Sequence, residues 1–361
     1  MGCEPVASDP AGRAMRWSRG ALEYLGECPV CASRARMATP MSCSDHRGSM
    51  ASDYWWIQRC RDCRTLYLDP RPDAMSMSAA YEAYYTHSTE SETTPDKGAG
   101  GILWGLIHGY VNARFGLSRK PSYSLGRLVF AILPPWRLKL DYYGRHLFAD
   151  AYPDRGRLLD VGCGNGAFLA RAAAMGWSVT GLEPDPKATA ACREQGLDVI
   201  EGTLATLACE LEDSFDVITL SHSIEHVADP REALLSVASF LKDGGRLWMA
   251  LPNPKSIGAW FFRGCWRELH PPYHLCIPDQ KQLTNMLRNA GFEEIRLLRR
   301  GAHARRMMRE SAENARATGD ATMRIKARLA PALRVVADIA ATLMPYYGEE
   351  TIILAKRSSR L

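Results

Sequence analysis

Residues 157–166 read RLLDVGCGNG. Leu158, Leu159 and Val161 form an apolar run that ends in three glycines, Gly162, Gly164 and Gly166. Such a run closed by glycine predicts a buried parallel strand entering a tight loop. The spacing is G-x-G-x-G. A dinucleotide fingerprint requires G-x-G-x-x-G, and position 167 is alanine, which argues against a nicotinamide dinucleotide. Asp160 stands beside the loop. An acid there repels a pyrophosphate and suits a cationic ligand.

Outward from this loop, strands and helices alternate. NGAFLARAAAMG is a helix ending at Gly176, and WSVTGLE a second strand that puts Glu183 at its end, where a carboxylate can accept from two ribose hydroxyls. Asp185-Pro186 supplies an N-cap and a proline for the first helical position. LDVIE and FDVITLS are the third and fourth strands, and Asp229-Pro230 with Glu232 opens another helix. RLWMALP is the fifth strand, DQKQLTNMLRNAGF a helix and EEIRLLRR the sixth strand. The fold class is therefore α/β, a Rossmann-like doubly wound sheet, with ligands expected beyond the carboxyl ends of its strands. A short glycine loop, an acid beside it and an acid for the ribose describe S-adenosylmethionine, a cationic nucleoside without phosphate.

LLDVGCGNGAFL, GLEPD, FDVITLSHSIEHVADP and LKDGGRLWMALPNP together resemble the class I S-adenosylmethionine-dependent methyltransferases, from Arg157 to about Leu298. The resemblance implies a seven-stranded sheet whose last strand, ETIILAKR, is inserted antiparallel beside the sixth, with a helical insertion at 302–343 between them. It implies a cofactor site made of Asp160, Gly162, Cys163, Gly164 and Gly166 at the methionine end and Glu183 at the ribose. Thr203 and Leu204 would flank the adenine, where such families often have an acid, and Ser221 and His222 would pass beneath the sulfonium.

HPPYHL, residues 270–275, contains a Pro-Pro-Tyr. Amine methyltransferases place that element after the fourth strand, but Ser221-His222-Ser223 stands there and HPPYHL follows the fifth. It is therefore expected to wall the acceptor site, with Tyr273 and His274 inward. The alternative is a structural His274 bonded to a backbone carbonyl. The pair Glu225-His226 lies at the mouth of the fourth strand. In similar sugar C-methyltransferases this pair is implicated in proton removal, and in quinone-precursor O-methyltransferases it lies near a metal or the acceptor. His226 is expected to be the general base with Glu225 beside it, the alternative being a capping or packing role.

Ahead of this domain stand Cys28-Pro29-Val30-Cys31 and Cys60-Arg61-Asp62-Cys63. Two such turns suit a closed, structural tetrahedral zinc site. Cys43 and His46 could replace one pair. YWWIQRC and TLYLDP read as short strands of a zinc-ribbon-like module. With the following AYEAYY, this region resembles a methyltransferase subgroup that carries a zinc module and acts on sugars, natural products and glycan precursors. The expected domains are 1–85 for the zinc module, 86–150 for a linker and packing or lid helices, and 151–361 for the methyltransferase domain. THSTESETTPDKGAGG is the linker. The patches ILWGLIHGYV and LGRLVFAILPPWRLKL could pack on the main domain, form a lid or touch a membrane, since Trp136, Arg137 and Lys139 lie beside the second.

The chain has 361 residues, a net charge of +5 and eleven cysteines. Its first residues lack the apolar core of a secretory signal, and no apolar run reaches the ~18 residues of a membrane span. A cytoplasmic location with reduced cysteines is expected. The Arg-rich stretch 296–334 reads as a solvated helical face, so a small-molecule acceptor is expected rather than nucleic acid. An RNA methyltransferase would use Trp55, Trp56, Arg59, Arg61 and Arg64 on the module. A non-catalytic cofactor-binding scaffold is the remaining alternative, against which the intact glycine loop and Glu183 stand.

Overall fold

The computed structural model describes residues 17, 20–37, 41–43, 55–77, 101–207 and 211–359. His46, the Cys43 side chain and residues 86–100 of the expected linker lie outside the described parts.

The N-terminal part holds β1 (Leu22–Glu23), β2 (Met41–Cys43), β3 (Trp55–Arg59), β4 (Leu66–Leu68) and β5 (Arg71–Pro72). Trp55 and Trp56 are buried, so they are unavailable as stacking platforms for RNA bases. Three helices follow: α1 (Ile102–Phe115), α2 (Gly126–Ala131) and α3 (Pro134–Tyr143), the last with proline in its first turn.

The main sheet contains β6 (Arg157–Val161), β7 (Ser178–Glu183), β8 (Val199–Glu201), β9 (Phe215–Ser221), β10 (Leu241–Pro252), β12 (Phe292–Leu298) and β13 (Glu350–Arg357). Their order is β12-β13-β10-β9-β6-β7-β8. Neighbours from β10 to β8 are parallel, while β13 runs antiparallel to both β10 and β12. Leu158, Leu159, Val217 and Ile218 are fully buried, as expected for strands covered on both faces. The connecting helices are α4 (Ala167–Ala174), α5 (Pro186–Glu194), α6 (Pro230–Phe240), α7 (Ile257–Phe262) and α8 (Gln280–Asn289). Asp185 and Asp229 cap α5 and α6 by accepting from the backbone N–H of Lys187 and of Arg231 and Glu232. Helices α9 (Ala304–Ala317) and α10 (Ala321–Leu343) fill the stretch between β12 and β13.

The chain order reverses at β6, which is flanked by β7 and β9. The crevice beyond the carboxyl ends of β6 and β9 is thus the topological switch point where ligands bind.

The stretch after HPPYHL holds a connection that the sequence does not announce. Strand β11 (Cys276–Ile277) pairs antiparallel with β4, so the N-terminal sheet has the order β11-β4-β3-β2 and borrows one strand from the main domain. The Leu68 N–H donates to the Leu275 carbonyl at 3.0 Å, and the Leu275 N–H donates to the Glu225 carbonyl at 2.8 Å. One short relay of backbone therefore ties the cysteine-bearing sheet to Glu225.

Candidate active site and cysteine cluster

Gly162 and Gly164 have φ of 71° and 54°, a region that L side chains rarely adopt. A Cβ at Gly162 would sit 2.7 Å from Ser223 Oγ, which itself donates to the Val161 carbonyl at 2.6 Å. A Cβ at Gly164 would meet nothing within 4 Å, so the loop is open there. The Gly164 N–H donates to Glu183 Oε2 at 2.8 Å and the Asp185 N–H to Oε1 at 3.1 Å. Burial raises the pKa of Glu183, and these two N–H groups pull it down. Cys163 and Leu204 are buried, whereas Thr203 is exposed and closes a capping box with Thr206 at the turn after β8.

Asp160 is fully buried, and Arg145 reaches it from the segment after α3. The guanidinium donates to Asp160 Oδ1 and to Thr219 Oγ1, the latter at 2.7 Å, and lies 3.5 Å from the Phe168 ring centroid. Thr219, opposite Asp160 in the register of β6 and β9, donates to Oδ1 at 2.8 Å. Burial pushes the carboxyl up, and Arg145 and Thr219 pull it down. Oδ2 is buried without a hydrogen-bond partner among the described residues. It is an acceptor held ready for a donor on a ligand. Arg145 lies in no recognisable motif, and no sequence signal points to it. Arg145→Ala should leave a buried carboxylate without its counterion and cost about 3–5 kcal/mol in denaturant unfolding. Asp160→Asn in the same chain should recover part of that loss.

At the end of β9, His222 has a φ of 55° and is flanked by carboxylates, with Nδ1 3.1 Å from Glu225 Oε1 and Nε2 3.4 Å from Glu350 Oε1. Arg300 Nε donates to Glu350 Oε2 at 2.6 Å. Burial works against a charged imidazole, but Glu225 and Glu350 outweigh it and hold His222 well above its ordinary pKa. Burial likewise opposes ionisation of Glu350, yet Arg300 and His222 keep it well below the usual carboxylate range.

His226 and His274 stand edge to face with ring centroids 4.8 Å apart. Single ligand atoms of Glu225, His226 and His274 lie within 4.8 Å of one another. His274 Nδ1 is 2.6 Å from the Glu268 carbonyl oxygen, which can only accept, so Nδ1 carries the proton and Nε2 keeps its lone pair. Burial lowers both imidazoles to about 3; the neighbouring His274 adds to this at His226, and His222 at His274. Tyr273 is buried in the same loop, with its ring 4.9 Å from that of His270. The structure thus brings Glu225, His226 and His274 together, and it joins His222 to carboxylates.

In the N-terminal part, Cys28, Cys31, Cys60 and Cys63 offer four sulfurs within 4.8 Å of one another. Cys28 and Cys63 Sγ are 3.6 Å apart, and Cys31 and Cys60 Sγ 3.5 Å. Tetrahedral zinc with Zn–S bonds of ~2.3 Å separates its sulfurs by ~3.8 Å, so the donor set fits the metal.

Residues 139–297 match a family model described as a methyltransferase domain. The matched stretch takes in the glycine loop, the strands from β6 to β10 and most of β12. The chain is similar to a ubiquinone biosynthesis O-methyltransferase of Caulobacter vibrioides, 39% identical over 102 residues, 27% of this chain and 40% of that one. It is also similar to the ubiquinone biosynthesis O-methyltransferase of Nitrosomonas europaea, 34% identical over 151 residues, 38% of this chain and 63% of that one. The chain spans about half the length of the curated relatives it matches. A solved S-adenosylmethionine-dependent methyltransferase from Mesorhizobium loti aligns with 60% of this chain and 97% of its own, at 19% identity and a TM-score of 0.41.

Proposed function

We propose that the protein transfers a methyl group from S-adenosylmethionine to an oxygen of a small-molecule acceptor, a sugar, glycan precursor or natural product. The observation that carries this is the convergence of Glu225, His226 and His274 beside the switch-point crevice, with both imidazoles held neutral. The oxygen is favoured by the name of the similar O-methyltransferases. S-Adenosylmethionine, when bound, supplies an electrophilic methyl group on a sulfonium.

Asp160 Oδ2 accepts a donor from the cofactor's methionine end, beside the loop of Gly162, Cys163, Gly164 and Gly166. Glu183 receives the ribose hydroxyls. Thr203 and Leu204 border the adenine, and Ser221 lines the floor. His222, held between Glu225 and Glu350, would pass beneath the sulfonium and keep Glu225 in place. Tyr273 and His274 orient the acceptor, and His226 takes its proton. Cys28, Cys31, Cys60 and Cys63 hold one structural zinc ion.

Calorimetric titration tests the cofactor assignment. S-Adenosylhomocysteine should bind, and Glu183→Ala should weaken it about 10- to 100-fold, the size of a lost hydrogen bond to a charged group. Tighter binding of NAD than of S-adenosylhomocysteine overturns the assignment.

A further inference from the structure

Helix α10 is built inside out. Its packed face is small, with Ala327, Ala330, Ala337 and Ala341 at most 4% exposed. Most of its large apolar side chains lie on another face: Ile325, Leu329, Val336, Ile339 and Leu343 are 51–64% exposed, while Met323 and Leu333 are half-buried against the core. With Ala332 they recur at alternating steps of four and three residues, which lines them up in one stripe along the helix. A second exposed stripe, Leu125, Leu128, Ile132 and Trp136, runs along α2 and α3.

The helices that carry the two stripes border a cavity of about 920 Å³, which Leu343 of the first stripe and Arg127, Ala131 and Arg137, neighbours of the second, line. Arg127 and Arg137 line one side of it, Arg299 and the exposed Leu343 another. Arg114, also in its wall, is answered by Asp150 at 3.5 Å and Asp141 at 3.9 Å. Arg127, Arg137 and Arg299 have no carboxylate within ion-pair distance among the described residues. Around the stripes, Arg324, Arg328 and Lys139 are exposed, the last 6.0 Å from the Trp136 ring. None of the lining residues has a part in the methyl-transfer site.

We propose that this face docks on the surface of an anionic phospholipid bilayer, the two stripes entering the boundary between headgroups and acyl chains and the cavity arginines holding lipid phosphates. Charge decides between this occupant and a second copy of the chain. Within α10 the sole acid is Asp338, and it is used, accepting from the His303 and Ala304 N–H groups at 2.8 Å. Two copies packed parallel along the stripe would set Arg324 and Arg328 against their counterparts, and packed antiparallel they would find no free carboxylate on the facing helix to answer them. An anionic surface answers them all, and Trp136 has the amphipathic side chain that suits the interface. Among the described residues no helix is long and apolar enough to cross a membrane, so the contact lies on the surface.

Cosedimentation of the full chain with vesicles tests this without any turnover assay. The chain should partition onto phosphatidylcholine vesicles containing phosphatidylglycerol, poorly onto phosphatidylcholine alone, and progressively less as salt rises. Arg127→Ala with Arg137→Ala should weaken partition about 25-fold, near fivefold for each charge. Ile132→Ser with Ile339→Ser should also weaken it, and since both residues are exposed the thermal melt should stay in place. Equal binding to both vesicle types, or no binding to the anionic ones, overturns the proposal. So does a dimer in light scattering that Val336→Glu dissociates, which would assign the face to a second copy.

Discussion

His226→Ala should slow methyl transfer by about 10²- to 10⁴-fold, the usual contribution of a positioned general base. Affinity for S-adenosylhomocysteine should not change. The environment of this imidazole sharpens the expectation. Burial and the neighbouring His274 lower its pKa to about 3, so it is unprotonated throughout the neutral range. An imidazole so weakly basic does not strip a neutral hydroxyl. It receives the proton once the acceptor oxygen has begun to bond to the methyl group and has become strongly acidic. The sign of the pH dependence follows. A group with a folded pKa near 3 gives the native enzyme no rising limb around pH 6.5, where an ordinary histidine would titrate. In His226→Ala, by contrast, the rate should climb with pH as the acceptor ionises unaided. His274→Ala should cost roughly tenfold or more through acceptor orientation. Rates measured across pH for the native chain and both variants decide this. Unchanged turnover in His226→Ala rejects the base. Loss of activity to a chelator, restored by a divalent cation, would make Glu225, His226 and His274 a metal centre instead.

Cys60→Ser combined with Cys63→Ser should empty the cysteine cluster and unfold the sheet around it. A structural zinc ion contributes on the order of 10 kcal/mol to a fold that cannot form its site otherwise. The native chain should carry about one equivalent of zinc by metal analysis, and the variant none. The damage should spread beyond the module. With β4 lost, β11 has no partner, and the backbone relay from Leu68 through Leu275 to Glu225 is cut. Turnover should therefore fall with the metal, through the relay to Glu225. Full zinc content and an unshifted melt in the double variant rule the site out.

The parallel core was legible because its causes are local. Apolar runs such as Leu158 to Val161, glycines forced to positive φ and proline-led caps at Asp185 and Asp229 each leave their mark within a few residues. The reversed last strand came from resemblance to a family pattern. What stayed hidden depends on partners far apart in the chain. Arg145 meets Asp160 only because α3 ends over β6, and Glu350 reaches His222 from the last strand. Cys276–Ile277 is too short for any periodicity, and only the edge of β4 makes it a strand. For α10, the spacing of the large apolar residues betrays a stripe, but spacing alone does not say that the alanines take the inward face.

The borrowed strand also sets an order of events at the ribosome. The cysteine module emerges first, yet its sheet is completed only when Cys276–Ile277 has been made. Until then the outer backbone edge of β4 stands open, and an open edge is a template for pairing with the wrong chain. Early capture of the proposed zinc ion would hold the two cysteine turns in place but leave that edge uncovered. For the same reason the module is not a portable bead. Grafted onto another protein without its late strand, it would carry a row of unanswered donors and acceptors, and misassembly would start there.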